Sequence, residues 1–387
     1  MKKTLLALAT LAATAGFAQA ANVTLYGAAD MALTYNYSQV KADGAKTSEQ
    51  SYGLSSGNFG ASKFGLKGVE ELGNGYSVGF KLENGFDADT GKLGQDGRLF
   101  GREATLTVYT PFGNVSAGRM GALSSGAGTY DIFQAYGDVF DGGVGDIGAG
   151  YWNGTGRYDN MLAYVTPDLS GLKLYAQYGF QNDGTEKDSA RDNNRYWGVG
   201  ATFDHGPLGL VAVVDSVQAA HVKDGKNQDE YTLSLGGNYD FGSFKPFVGV
   251  QYGEHLNSFG FSDKAVYDGA AAKMSDLKGY ALSVGSQFSL PCGTLSAVLF
   301  YAHTKGDLKY ANTEEGESVT ADLKKGNVYG VGLVHGYPLS KRTTLYTGVG
   351  YTYGKFQSDV TVGDEDAVGS TVKTKNAQVL FGLNHTF

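Results

Sequence analysis

The sequence predicts an all-β fold, a sixteen-stranded antiparallel transmembrane β-barrel, on three observations. The first is composition. Of 387 residues, 59 are Gly, 26 Tyr and 21 Phe, only 6 are Pro, and charged residues make up 18%. Such a chain favours strands and tight turns over helices. The second is alternation over runs of about ten residues or more, where soluble strands average about 5–6 and a tilted strand needs about 9–11 to cross a bilayer. The third is the rhythm of the breaks, short and long in turn along the whole chain.

The elements follow in order. Met1, Lys2 and Lys3 form a short basic start, Thr4 to Ala15 is apolar, and Ala18, Gln19 and Ala20 fit a small-residue cleavage site. This reads as a secretory signal peptide over residues 1–20, with the barrel domain over 21–387. Losing Lys2 and Lys3 takes the formal charge from −8 to −10, which argues against a nucleic-acid partner. Past the leader no apolar run approaches the ~18 residues of a membrane helix. The single Cys292 excludes an intramolecular disulfide framework.

Successive strand side chains point to opposite faces. Val23, Leu25, Gly27, Ala29, Met31, Leu33 and Tyr35 share one face; Thr24, Tyr26, Ala28, Asp30 and Thr34 share the other. Tyr76, Val78, Phe80 and Leu82 alternate with Ser77, Gly79, Lys81 and Glu83. Similar runs cover Leu172–Phe180, Tyr280–Leu290 and Val379–Phe387. Short breaks fall at Leu72–Asn74, Thr110–Gly113, Thr166–Gly171, His205–Pro207, Asp240–Gly242, Leu290–Gly293 and Gly336–Lys341. Between them lie long polar segments at Ser38–Gly57, Asp87–Arg98, Met120–Gly156, Gln181–Asn193, Gln218–Asp229, His255–Asp276, Lys305–Lys324 and Gly354–Thr374. Seven short and eight long connections join sixteen strands.

A meander of this kind closes into a barrel and removes its sheet edges. One face of each strand carries Leu, Val, Phe and Tyr; the other carries Lys, Glu, Asp, Gln, Thr and Gly. Sixteen strands leave an aqueous lumen, so the polar face belongs inside and the apolar face to lipid. Tyr35, Tyr76, Phe86, Tyr109, Phe112, Phe180 and Tyr353 fit interfacial girdles. Short turns and both termini belong on the periplasmic side, long loops outside.

Met120–Gly156 is the longest break. It is Gly-rich and holds Asp131, Asp138, Asp141 and Asp146 with no Lys or Arg before Arg157. Phe133, Tyr136, Phe140, Tyr151 and Trp152 argue that it packs against something; an external flap is the alternative.

At this point the sequence resembles the Gram-negative general diffusion porins, in particular the trimeric porins of beta-proteobacteria. The resemblance rests on Asn22–Gly27 (NVTLYG), Ser62–Gly68 (SKFGLKG) with Glu70–Gly73 (EELG), Phe100–Ala104 (FGREA), Phe112–Arg119 (FGNVSAGR), Arg157–Asn160 (RYDN) with Tyr164, and the terminal Phe387. It runs over essentially all of residues 21–387. It implies a homotrimer in the Gram-negative outer membrane, among its lipid and lipopolysaccharide. It implies a third loop folded inward to narrow each pore, with basic residues on the wall facing acidic residues on the loop. Phe387 resembles the family's signal to the barrel-assembly machinery.

The same resemblance places Lys63, Arg102 and Arg157 on the inner wall with Arg119 nearby, and puts Asp131, Asp138 and Asp141 on the facing loop. Lys81 points inward by strand parity. Arg102 shares parity with Ala104, Leu106 and Val108, which read as lipid-facing, unless a bulge intervenes. Lys63 stands where the family most often has Arg, which keeps the charge and loses the planar donor fork. Opposed charges across a narrow opening set up a transverse field that orients polar solutes.

The expected function is passive diffusion of small hydrophilic solutes and ions. The alternatives are a substrate-selective channel or an adhesin or receptor barrel. The net charge argues for cations, but most acids lie in outer segments such as Asp43–Glu49 and Thr313–Glu317. The constriction therefore leans to a weak anion preference. The six His are scattered at 205, 221, 255, 303, 335 and 385 without metal-ligand spacing. No nucleophile elbow or phosphate loop appears. No enzyme activity, metal or cofactor is expected, although Asp204 and His205 are chance neighbours in a short turn.

Overall fold

The computed structural model describes residues 23–42, 44–141, 144, 147, 152, 156–181, 193–218, 228–256, 272–310, 319–362 and 366–387. The expected leader, Asp146 and Tyr151 lie outside the described residues. In chain order the strands are β1 (Thr24–Ala42), β2 (Ala45–Ser56), β3 (Lys63–Gly73), β4 (Tyr76–Gly85), β5 (Glu103–Thr110), β6 (Gly113–Gly121), β7 (Arg157–Val165) and β8 (Leu172–Gly179). They continue as β9 (Arg195–His205), β10 (Leu208–Gln218), β11 (Glu230–Tyr239), β12 (Phe244–Leu256), β13 (Ala272–Leu290), β14 (Gly293–Tyr310), β15 (Val319–Pro338), β16 (Thr343–Val362) and β17 (Val368–Thr386).

β2 and β3 are two halves of one wall strand. The upper half of β1 pairs with β2 (Met31↔Ser56) and its lower half with β3 (Ala28↔Lys63), with Gly57–Ser62 looping out between. The wall therefore has sixteen antiparallel strands. β1 also pairs with β17, from Ala28↔Thr386 upward, which closes the cylinder. Gly27 and Phe387 exchange both backbone hydrogen bonds at 3.0 Å just below that ladder.

The two faces are inverted relative to a soluble fold. The outer cross-strand pairs Leu33↔Phe381, Leu333↔Val349 and Val284↔Leu299 are all exposed. Thr34, Glu83, Glu103, Thr105, Ser116, Thr202, Asp215, Ser234, Gln251 and Ser283 are buried. Only a hydrocarbon surround makes that arrangement favourable, since exposed apolar area costs about 25 cal/mol per Å² in water. Aromatic rings mark the edges of the belt. Phe244↔Phe288 sits at the short-turn end and Tyr252↔Tyr280 at the other. They are eight residues apart on β12, which at ~3.4 Å per residue and a ~40° tilt is roughly 20 Å, near the ~25 Å apolar band of outer-membrane barrels.

The short turns lie where expected. Asn74 and Gly75 (φ 54° and 80°) join β3 to β4 in the Asn-Gly turn that the right-handed strand twist selects. Three of the expected loops are largely strand, and a fourth is strand at its described ends. β1 and β2 fill most of Ser38–Gly57, and β13 starts at Ala272 within His255–Asp276. β14 and β15 take up both flanks of Lys305–Lys324, and β16 and β17 those of Gly354–Thr374. Above the membrane the outer face meets water while the inner face packs Leu308, Val319, Ala321, Leu323 and Val372 out of solvent, so the polarity of the two faces is reversed relative to the lipid belt. Tyr109 is a second correction. It shares the inner face with Thr105 and Thr107 and is no part of a girdle. The wall is uneven: β5 to β8 have 8–9 residues, β13 to β17 have 18–20.

Candidate functional site

The third loop, between β6 and β7, lies inside the barrel. Its start is fixed by the Leu123 N–H donating to the Tyr196 hydroxyl (3.3 Å) and by the Ser124 hydroxyl on Asp215. The short helix Phe133–Gly137 then crosses β10 to β12. Asn238 donates to the Tyr136 carbonyl (2.9 Å), Tyr136 to Asp204 (2.7 Å) and Gln287 to the Val139 carbonyl (3.1 Å). The inner wall makes room with glycine. A Cβ on Gly236 would sit 2.7 Å from the Gly137 Cα, and one on Gly249 2.6 Å from the Gly137 oxygen. Farther round, Cβ atoms on Gly332 and Gly350 would meet Ile147 at 2.4 and 2.6 Å. Phe133 and Trp152 pack edge to face at 4.9 Å. Among the described residues the loop aromatics Phe133, Tyr136, Phe140 and Trp152 thus pack inward, and the external-flap alternative fails.

Facing this seat, β3 to β7 carry a dense ionic wall. Glu83, 3% exposed in its side chain, accepts Arg102 Nε at 2.7 Å and has Lys63 and Lys81 each at 3.9 Å. Glu103 accepts Lys81 Nζ at 2.8 Å. Thr129 of the third loop bridges the pair: its hydroxyl donates to Glu103 (2.8 Å) and accepts from Lys81 (2.9 Å), and its N–H reaches Glu103 at 3.2 Å. That contact latches the loop to the wall. Beneath it opens a cavity of about 790 Å³, whose lining includes Lys67, Lys81, Thr105, Tyr109 and Lys173.

Arg102 lies one residue ahead of β5, so strand parity does not govern it. Its N–H donates to the Glu83 carbonyl (3.2 Å) and its side chain turns to the Glu83 carboxylate. Arg157 opens β7 within the field of Arg102, Arg119, Glu83 and Glu103. Among the described residues its guanidinium has no ion-pair partner. Arg119 does something else. Its Nε donates to the Gly101 carbonyl and its Nη1 to Asp159, both at 2.7 Å, and Arg98 takes the other Asp159 oxygen at 2.7 Å. These contacts clamp the segment after β4 onto β6 and β7.

The loop acids divide. Asp138 is 2% exposed, accepts the Trp152 indole N–H and caps the Phe140 N–H. It offers almost no surface to a solute. Asp131 is half-buried; burial first, and then the Asp141 carboxylate beside it, push its carboxyl well above the ordinary range. Asp141 is exposed. Glu83, Glu103 and Asp159 belong to the site and are not among the residues the sequence predicts for it. Parity was the available signal, since Glu83 follows Lys81 by two.

With this geometry in place, likeness to known proteins is informative. The sequence profile of the Gram-negative porins matches residues 7–357. The chain belongs to the Gram-negative porin family. An outer membrane porin protein of Bordetella pertussis is 33% identical over 100% of both chains. Outer membrane porin protein 32 of Delftia acidovorans is 29% identical, again over 100% of both. Among solved structures, an anion-selective porin from Comamonas acidovorans is 25% identical with a TM-score of 0.65, covering 95% of this chain and 100% of that one. This porin is an outer-membrane, multi-pass β-barrel channel.

Proposed function

We propose that this porin passes small hydrophilic solutes and ions without a chemical step, through a constriction between the wall of β3 to β7 and the third loop, with a preference for anions. One observation carries the reading. Lys63, Lys81, Arg98, Arg102, Arg119 and Arg157 stand against Glu83, Glu103 and Asp159, six cations to three anions. Of the described loop acids only Asp141 is exposed. Charge at the narrowest ring weighs most, because low-dielectric walls focus the field there. The relative from Comamonas acidovorans, described as anion-selective, supports the same sign.

A homotrimer is part of the proposal. β5 to β8, at 8–9 residues, are at the lower limit for crossing a bilayer alone. Neighbouring copies would cover that low side. Residues 1–20 as a leader, lipopolysaccharide at the outer rim and recognition of Phe387 by the assembly machinery complete the proposal.

Reconstitution in a planar bilayer tests it. Conductance steps grouped in threes and a reversal potential on the chloride side of zero in a KCl gradient are expected. A cation-side potential overturns the charge reading. Saturable block by a single solute would instead establish the substrate-selective alternative, which the cavity under the latch favours.

A further inference from the structure

We propose that Asp30 is a positioning residue for the cationic wall: its buried carboxylate templates the Gly57–Ser62 excursion and thereby fixes Lys63 in the pore. The inference rests on the reading of Lys63 as a constriction residue.

Asp30 lies on the inner face of β1 and is 0% exposed. Its Oδ1 accepts the backbone N–H groups of Asn58 (2.7 Å) and Phe59 (3.3 Å) and the Tyr346 hydroxyl (2.8 Å). Its Oδ2 accepts the Gly60 N–H (3.3 Å) and Asn384 Nδ2 (2.9 Å). Three successive backbone N–H groups around one carboxylate form an anion nest. The Asp30 main chain joins in. Its N–H donates to Ser62 Oγ (3.0 Å), and its carbonyl accepts from Ser62 Oγ (3.1 Å) and the Gly57 N–H (3.2 Å).

Every group that meets the carboxylate is a donor. An amide in its place would turn an NH2 towards donors and leave some of them unmet. The nest therefore requires an anion, and the looped-out path requires the nest. Between Met31↔Ser56 and Ala28↔Lys63 the register slips, and the excursion absorbs the slip. Lys63 is the first residue after it. The same excursion anchors the next segment: the Phe86 N–H donates to the Ser62 carbonyl (3.1 Å) and the Ala88 N–H to Ser56 Oγ (2.8 Å). That segment leads to Arg102. One buried acid thus sets the start of both cation-bearing stretches, although it belongs to neither. Phe59 stacking on Tyr346 at 4.8 Å holds the excursion against β16, two strands round from β1.

The test compares reversal potentials of Asp30→Asn, Ser62→Ala and Lys63→Ala in planar bilayers, using variants with heat-modifiable gel migration as evidence of a folded barrel. Simple electrostatics predicts that removing the Asp30 charge makes the pore more anion-selective. Positioning predicts the opposite sign: Asp30→Asn and Ser62→Ala each move the potential towards cations by at least half the shift that Lys63→Ala causes. Ser62→Ala changes no charge and serves where Asp30→Asn does not fold. Lys63→Ala shifted, with the other two at or on the anion side of wild type, overturns the role of Asp30 alone. Lys63→Ala unshifted overturns the constriction reading and this role with it.

Discussion

Arg102 Nε lies 2.7 Å from Glu83 Oε1, and the Arg102 N–H donates to the carbonyl of the same residue. Glu83 thereby turns into the lumen a cation that strand alternation alone would send to lipid. The same carboxylate draws Lys63 and Lys81 to 3.9 Å. Glu83→Gln is expected to shift the reversal potential further to the anion side, because one negative charge leaves the ring. It should also lower stability by on the order of 2 kcal/mol, between an exposed and a buried pair. Bilayer recordings and thermal melts check the two effects.

The glycine seat makes a second prediction. A Cβ on Gly236 would come within 2.7 Å of the Gly137 Cα, backbone that cannot swing aside. Gly236→Val should lift the third loop from the wall while the barrel ladder survives. Single-channel conductance should rise severalfold, and liposome swelling should admit larger sugars.

The pH dependence follows from Asp131. Burial and the neighbouring Asp141 raise its folded pKa, so the folded loop binds a proton that the unfolded chain gives up at the ordinary Asp value near ~3.9. Its stabilising effect is full below that value. It is lost as pH rises towards the raised value, at about 1.4 kcal/mol per pH unit. Asp131→Asn should flatten this slope. Melting temperature against pH, for the two proteins side by side, is the measurement.

Cys292 is exposed in the turn between β13 and β14, at the end that holds the short turns, the start of β1 and the end of β17. A membrane-impermeant maleimide too large for the pore should leave it unlabelled in whole cells and modify it once the outer membrane is opened. Labelling in intact cells would invert the topology.

The barrel was legible in the sequence because lipid enforces alternation. Leu33, Val284 and Val349 must face outwards wherever the wall crosses hydrocarbon. Outside that zone lipid no longer dictates the faces, and the strand extensions around residues 38–57 and 305–324 carry the polar composition of loops. The constriction was legible in part. Lys81 and Glu83 lie on a regular strand and follow parity, whereas Arg102 lies beyond its strand end. Asp138 looked like any other acid of the third loop, and only the fold shows it turned to the Trp152 indole. Asp30 reads as one polar residue on an inward face. Its partners, Asn58 to Gly60, Tyr346 and Asn384, converge only when the first and last strands meet.

The most direct test of the charged constriction is the reversal potential of the double variant Lys63→Glu with Arg157→Glu in a KCl gradient. Two charges change sign and the net charge of the wall falls by about four units, so the potential should cross zero to the cation side while conductance persists. A potential equal to that of the unaltered porin would place both residues away from the path of the ions and contradict the account.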